Sequence, residues 1–183
     1  VLMQQKKYAE AIKAYEASLR KQDSGTTAVR VYQARLAAGD QKGAMAGLAD
    51  WVKKNPKDFP ARAALAAAYV EMNQLDNAIA LYRPLRAEQP DNPVILNNLA
   101  WALLQKKDPE ARAVAERAYA LAPQSPMIAD TLGWILVQGG DVAGGLKLLE
   151  AAKQKVVEQP GYKESGQWGD GVINYAGAGG KRG

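Results

Sequence analysis

An alanine that follows a turn-rich or charged stretch and opens an amphipathic run recurs along this chain at a nearly fixed interval. It is Ala11 in KKYAEA, Ala44 in GDQKGA, Ala78 in NQLDNA and Ala111 in KDPEA, and Gly145 takes its place in GDVAGG. The intervals are 33, 34, 33 and 34 residues. A regular period near 34 means a stack of similar supersecondary units, none of which can bury its apolar face alone.

Each period reads as two helices. The first carries apolar residues at helical spacing: Leu65, Tyr69 and Met72; Leu99, Leu103 and Leu104; Leu132, Ile135 and Leu136. A polar or glycine-bearing turn follows, such as Gly39-Asp40 or Gly139-Gly140-Asp141. The second helix shows the same three-four spacing in Ala78, Ile79, Tyr82 and Leu85. Pro56, Pro90 and Pro123 close three of the units, because the residue before a proline is steered out of helical conformation. Two helices of about 12–14 residues, each roughly 20 Å long, account for the period.

At these residues the chain resembles the tetratricopeptide repeat (TPR) family. Leu99-Ala100 and Leu132-Gly133 match its leucine–small pair, Tyr69 its first-helix aromatic, and Ala11/Tyr15 and Ala78/Tyr82 its second-helix pair. The resemblance covers residues 1–158. It implies an all-α, right-handed α-solenoid of about four and a half helix-turn-helix repeats, whose first helices line a concave binding groove. The repeats would span 1–24 (partial), 25–58, 59–91, 92–125 and 126–158, followed by a Gly-rich tail, 159–183. Three departures stand out. Tyr32 occupies a place where a small residue is expected, so the helix expected at 26–38 should pack loosely or rotate. Pro84 falls inside the helix expected at 75–88 and should kink it, at a cost of about 3 kcal/mol. The fifth repeat lacks its closing proline, the nearest being Pro160. The chain begins at Val1, inside a repeat, and is expected to be a piece of a longer one. The segments Asn97-Asn98-Leu99-Ala100-Trp101 and Asp130-Thr131-Leu132-Gly133-Trp134 further resemble terminal repeats of bacterial cell-envelope TPR lipoproteins of exosortase/PEP-CTERM exopolysaccharide systems. That resemblance implies a periplasmic or envelope setting.

Composition argues against catalysis. The chain has no cysteine and no histidine, which removes disulfides, thiolate and imidazole metal ligands and the common nucleophile–base pairs. Glu71, Glu88, Asp91 and Asp130 are scattered over separate helices and turns, without the pairing an acid/base mechanism needs. No enzyme activity, metal or cofactor is expected. The net charge of +5 is spread out, with no block of five to eight Lys/Arg, so nucleic acid is not an expected partner. No run of 18 apolar residues exists that could span a membrane.

The expected function is noncatalytic binding of a peptide or protein partner in the groove. From the family's architecture, repeat four presents Val94, Asn97, Asn98, Trp101 and Gln105, and repeat five presents Met127, Asp130, Thr131, Trp134 and Gln138. Repeat three offers Ala63, Ala67, Val70 and Glu71; repeat two offers Thr26, Val29, Arg30 and Gln33. Amide side chains suit an extended backbone because they donate and accept. Trp101 and Trp134, 33 residues apart, would form a ladder suited to hot-spot contact or sugar stacking, or else pack between helices. Polysaccharide binding is therefore the alternative, with RNA binding by a basic helical repeat behind it. Chaperone-tail binding is not expected, because the groove lacks the usual lysine and only Arg30 and Arg62 could substitute. Trp51 is expected in the core. In the tail, Trp168, Val172, Ile173 and Tyr175 are read either as a cap on the last helix or as part of a linker, and GAGGK lacks the glycine and Ser/Thr of a phosphate loop. Leu2, Ile12 and Leu19 of the partial first repeat should be bare and promote end-to-end self-association or fraying.

Overall fold

A computed structural model describes residues 2–21 and 24–157 of the chain. Among them it holds nine α-helices and no strand, so the expected all-α class is the one found. They are α1 (Tyr8–Lys21), α2 (Gly25–Ala37), α3 (Gln41–Lys54), α4 (Phe59–Glu71), α5 (Leu75–Glu88), α6 (Pro93–Gln105), α7 (Glu110–Leu121), α8 (Pro126–Gln138) and α9 (Val142–Val157). The chain divides into two compact units, Val1–Pro90 and Asp91–Gly183. The tail reading, with Trp168, Val172, Ile173 and Tyr175, lies outside the described residues.

The turns that join α2 to α3, α4 to α5, α6 to α7 and α8 to α9 are one device, and the same turn stands before α1. The backbone enters the left-handed region at Lys6, Gly39, Asn73, Lys107 and Gly140, with φ between 55° and 92°. One residue later, an amide donates back to the carbonyl five positions earlier: Lys7 to Leu2, Asp40 to Arg35, Gln74 to Tyr69, Asp108 to Leu103 and Asp141 to Leu136, at 2.8–3.0 Å. This arrangement satisfies helix-end carbonyls that would otherwise lack donors. Helices α3 and α9 are then started by side-chain caps, with Asp40 accepting from Gly43 N at 2.8 Å and Asp141 from Gly144 N at 3.0 Å. The first helices α4 and α6 are capped likewise. Asp58 accepts from Ala61 N at 3.0 Å, and Asn92 from Val94 N and Ile95 N at 3.1 and 3.2 Å.

Within the first unit, α2 packs against α3 and α4, and α4 against α5. Tyr32, Ala44, Leu48, Ala61, Leu65 and Ala68 form a buried cluster. Arg62 is 7% exposed and makes a bidentate pair with Glu88, Nη1 to Oε1 at 2.7 Å and Nη2 to Oε2 at 2.6 Å. Its Nε also donates to the Asp58 carbonyl at 3.4 Å. The pair ties the start of α4 to the end of α5, with planar fork geometry that only arginine offers. The hydrogen bond holds the Glu88 carboxyl below the ordinary carboxylate range. Helix α5 runs unbroken through Pro84, whose ring is exposed.

In the second unit, α6 packs on α7 and α8, and α8 on α9. Leu99, Leu103, Ile95, Ile128, Leu132 and Ile135 are all 5% exposed or less. The α8–α9 crossing is close because both sides lack a side chain: a Cβ on Gly145 would lie 2.5 Å from the Gly133 carbonyl oxygen and 2.9 Å from Val137 N. The α2–α3 pair is built differently. There Tyr32 fills the position that Ala66, Ala100 and Gly133 hold elsewhere, and a Cβ on Gly47 would meet only Arg35 Nη1, at 3.7 Å. The expected loosening around Tyr32 takes the form of a cavity of about 150 Å³ among α1, α2 and α3, lined by Leu19, Ala28, Val31, Tyr32, Leu48 and Trp51.

Candidate functional site

Periodicity and the proline at the first turn decide what α6 and α8 present outward. Pro93 and Pro126 begin the helices at the one place where a missing N–H costs nothing. Leucines and isoleucines then take the buried arc. What remains on α6 is Val94, Asn98, Trp101 and Gln105, spaced i, i+4, i+7, i+11 and therefore on one stripe. On α8 the equivalent stripe is Met127, Asp130, Trp134 and Gln138. Val94 and Met127 are exposed at 49% and 38%, and Gln105 and Gln138 are exposed at the other end. Between them, Asn98, Trp101, Asp130 and Trp134 are half-buried.

Two residues expected on this face lie behind it. Asn97 is 4% exposed, and its Nδ2 reaches Asn98 Oδ1 at 3.4 Å while its own Oδ1 has no donor. Thr131 is 6% exposed and donates its hydroxyl to the Met127 carbonyl at 3.1 Å. The difference in helical phase carries both toward the neighbouring helix. Trp101 and Trp134 each keep one part in the packing and one part accessible, which is the arrangement of a large amphipathic anchor.

Asp130 is the single charged side chain of the α6 and α8 stripes. No hydrogen bond or ion pair holds its carboxylate among the described residues. Burial alone pushes its carboxyl up to about 6, because a desolvated carboxylate is disfavoured relative to the neutral acid.

The first unit offers a different face. Thr26, Arg30 and Gln33 are exposed on α2, and Ala63, Ala67 and Val70 are half-buried on α4 with Glu71 exposed beyond them. Arg62 is not available to a ligand carboxylate, since Glu88 occupies its fork. Trp51 is half-buried rather than wholly in the core: its indole lines the cavity and its Nε1 donates to Asp58 Oδ2 at 3.1 Å. That cavity, rimmed by the Arg35–Glu16 ion pair at 2.7 Å, was not foreseen as a site. The signal for it was Tyr32 at a small-residue position. Leu2, Ile12 and Leu19 are half-buried, not bare, because α1 packs on α2.

Residues 35–93 match the tetratricopeptide repeat family model. Solved structures extend the likeness along the chain. MamA, residues 41 to the end, from Desulfovibrio magneticus RS-1 superposes with a TM-score of 0.71 at 16% identity, covering 86% of this chain and 90% of that one. The fold is that of tetratricopeptide repeat proteins. MamA of strain AMB-1 gives 0.66 at 19% identity, over 84% of this chain and 92% of that one. A thermophilic TPR protein of Thermus thermophilus gives 0.67 at 17% identity, over 97% and 93%. At such identities the shared property is the TPR fold. No functionally curated protein matches the sequence. TPR proteins bind protein partners, and no helix among the described residues of this one is long and apolar enough to cross a membrane.

Proposed function

We propose that this chain is a noncatalytic scaffold that binds an extended segment of a protein partner on the α6–α8 face. The observation that carries the reading is the pair of half-buried indoles, Trp101 and Trp134, at equivalent places on two packed helices and flanked by Asn98, Gln105, Asp130 and Gln138. Large aromatic anchors ringed by polar groups are how interface energy is concentrated. The amides can meet a peptide backbone in either sense. Arg30, in the other unit, is a candidate contact on α2. The resemblance of the Asn97–Trp101 and Asp130–Trp134 segments to envelope TPR lipoproteins supports a setting in a bacterial envelope assembly for exopolysaccharide export or protein sorting. Self-association through the half-buried apolar residues of α1 is a further part of the proposal.

The test is capture from bacterial envelope extract by wild type and by a folded Asn98→Ala/Trp101→Ala/Trp134→Ala variant, with circular dichroism as the folding control. A protein retained by wild type and lost by the variant supports the face and names the partner. Equal capture by both moves the site elsewhere. Retention of polysaccharide alone replaces the scaffold reading with carbohydrate binding through the same indoles.

A further inference from the structure

We infer that the α6–α8 face selects a segment bearing a lysine or arginine side chain, and that Asp130 receives its charge. The inference rests on the proposal that this face binds an extended segment and adds the chemistry of what it holds.

Three observations converge on a cation. First, the two outward stripes of α6 and α8 carry a single charge between them, and it is negative. The chain as a whole is basic at +5, so the acidic spot runs against its general balance and is not a sample of it. Second, Asp130 sits half-buried with no hydrogen bond or ion pair among the described residues, although solvent-facing arginines in the same unit are paired. Arg112 meets Glu116 at 2.8 Å and Arg117 meets Asp91 at 2.6 Å. A carboxylate left desolvated and unneutralised is stabilised by whichever cation is brought to it. Third, one turn along α8 from Asp130 stands Trp134, and Trp101 holds the matching place on α6. Indole faces attract ammonium and guanidinium groups and repel carboxylates. Carboxylate and aromatic groups on one stripe thus favour the same class of group, and no cationic side chain on that stripe attracts an acidic one.

Arginine and lysine would be received differently. A guanidinium can lie flat on an indole while donating to the carboxylate, whereas an ammonium makes a point contact with Asp130. Leu or Val neighbours in the segment would cover Val94 and Met127, which are exposed now.

The experiment uses the whole chain with nitrogen-15 indoles and two short end-capped peptides, identical except that one has lysine at its centre and the other norleucine, its uncharged near-isostere. Signals of Trp101 and Trp134, assigned by single Trp→Phe variants, report binding at this face; Trp51 is the internal control. The lysine peptide should bind about tenfold more tightly than the norleucine peptide, the effect expected of one charge-assisted hydrogen bond. The difference should disappear in Asp130→Asn, which keeps the side chain's shape. Equal affinity of the two peptides, with Trp101 and Trp134 both shifting, overturns the charge selectivity and leaves the binding face standing. An advantage for lysine that survives in Asp130→Asn overturns the assignment to that residue. Shifts at neither indole with either peptide, up to millimolar concentration, overturn the binding face itself.

Discussion

The α8–α9 crossing yields a prediction whose sign can be worked out before the measurement. Gly→Ala inside a helix ordinarily stabilises by about 0.5–1 kcal/mol, because alanine loses less backbone freedom on folding. At Gly145 the added methyl would lie 2.5 Å from the Gly133 carbonyl oxygen, 2.6 Å from Val137 Cγ2 and 2.9 Å from Val137 N. Two of these three are backbone atoms of a packed helix and cannot swing aside. The helices must separate by most of an ångström to restore ordinary contact, which pulls Leu132 and Ile135 away from the partners that now bury them. Overpacking of this kind costs about 1–3 kcal/mol. Gly145→Ala should therefore destabilise by about 1–2 kcal/mol after the propensity gain is subtracted. Gly47→Ala provides the control, because there the new methyl meets only Arg35 Nη1 at 3.7 Å, an ordinary contact. It should stabilise by about 0.5–1 kcal/mol. Urea unfolding followed by circular dichroism in the helical band measures both. If Gly145→Ala proved as stabilising as Gly47→Ala, the close crossing of α8 and α9 would be refuted, and with it the account of why Gly133 and Gly145 stand where they do.

Three further perturbations follow from the described contacts. Asp130→Asn should raise stability at about pH 8 by about 1 kcal/mol, a figure discounted for partial solvent access; the native carboxyl titrates at about 6, above its unfolded value, so wild-type stability falls as pH rises through the interval between them, and the two proteins should converge below about pH 4. Asp58→Ala removes both the α4 cap at Ala61 N and the acceptor for the Trp51 indole, and should cost about 2 kcal/mol in thermal or urea unfolding. Trp101→Ala should cost about 2 kcal/mol, between the roughly 3–5 of a buried tryptophan and the roughly 0.5 of a surface residue, because the ring is half-buried; a loss within either of those limits would place it wholly in the core or wholly outside it.

Much of the fold is legible in the sequence because the repeat is enforced by residues with little choice. Ala78 and Ala111 are buried at the start of their helices and Gly145 stands where α9 crosses α8 closely, and their small size is visible in the letters themselves. The helix expected at 75–88 is α5, and a single proline within it did not end it, since Pro84 points outward and forfeits only one backbone bond. Side-chain partnership is less legible. That Arg62 is spent on Glu88, 26 residues away, depends on where the start of α4 and the end of α5 meet in space, which no local pattern announces. Asn97 and Asn98 are neighbours of identical type, yet one is enclosed and the other reaches the surface, a difference set by about a hundred degrees of helical rotation. The cavity beside Tyr32 shows the converse case: the departure from the pattern was plain, but its outcome depended on whether α1, α2 and α3 could close around the ring.

The turn within each hairpin has a consequence for how such a chain can change. Its geometry is held by backbone donors and acceptors, and it is adopted by glycine at 39 and 140, by asparagine at 73 and by lysine at 107. The turn is thus held by bonds that involve no side chain of the outward stripes of α6 and α8. Frame and vocabulary are separable. A lineage, or an engineer, could rewrite the side chains of that face one at a time and change what is recognised, while the hairpins that carry them keep their bend.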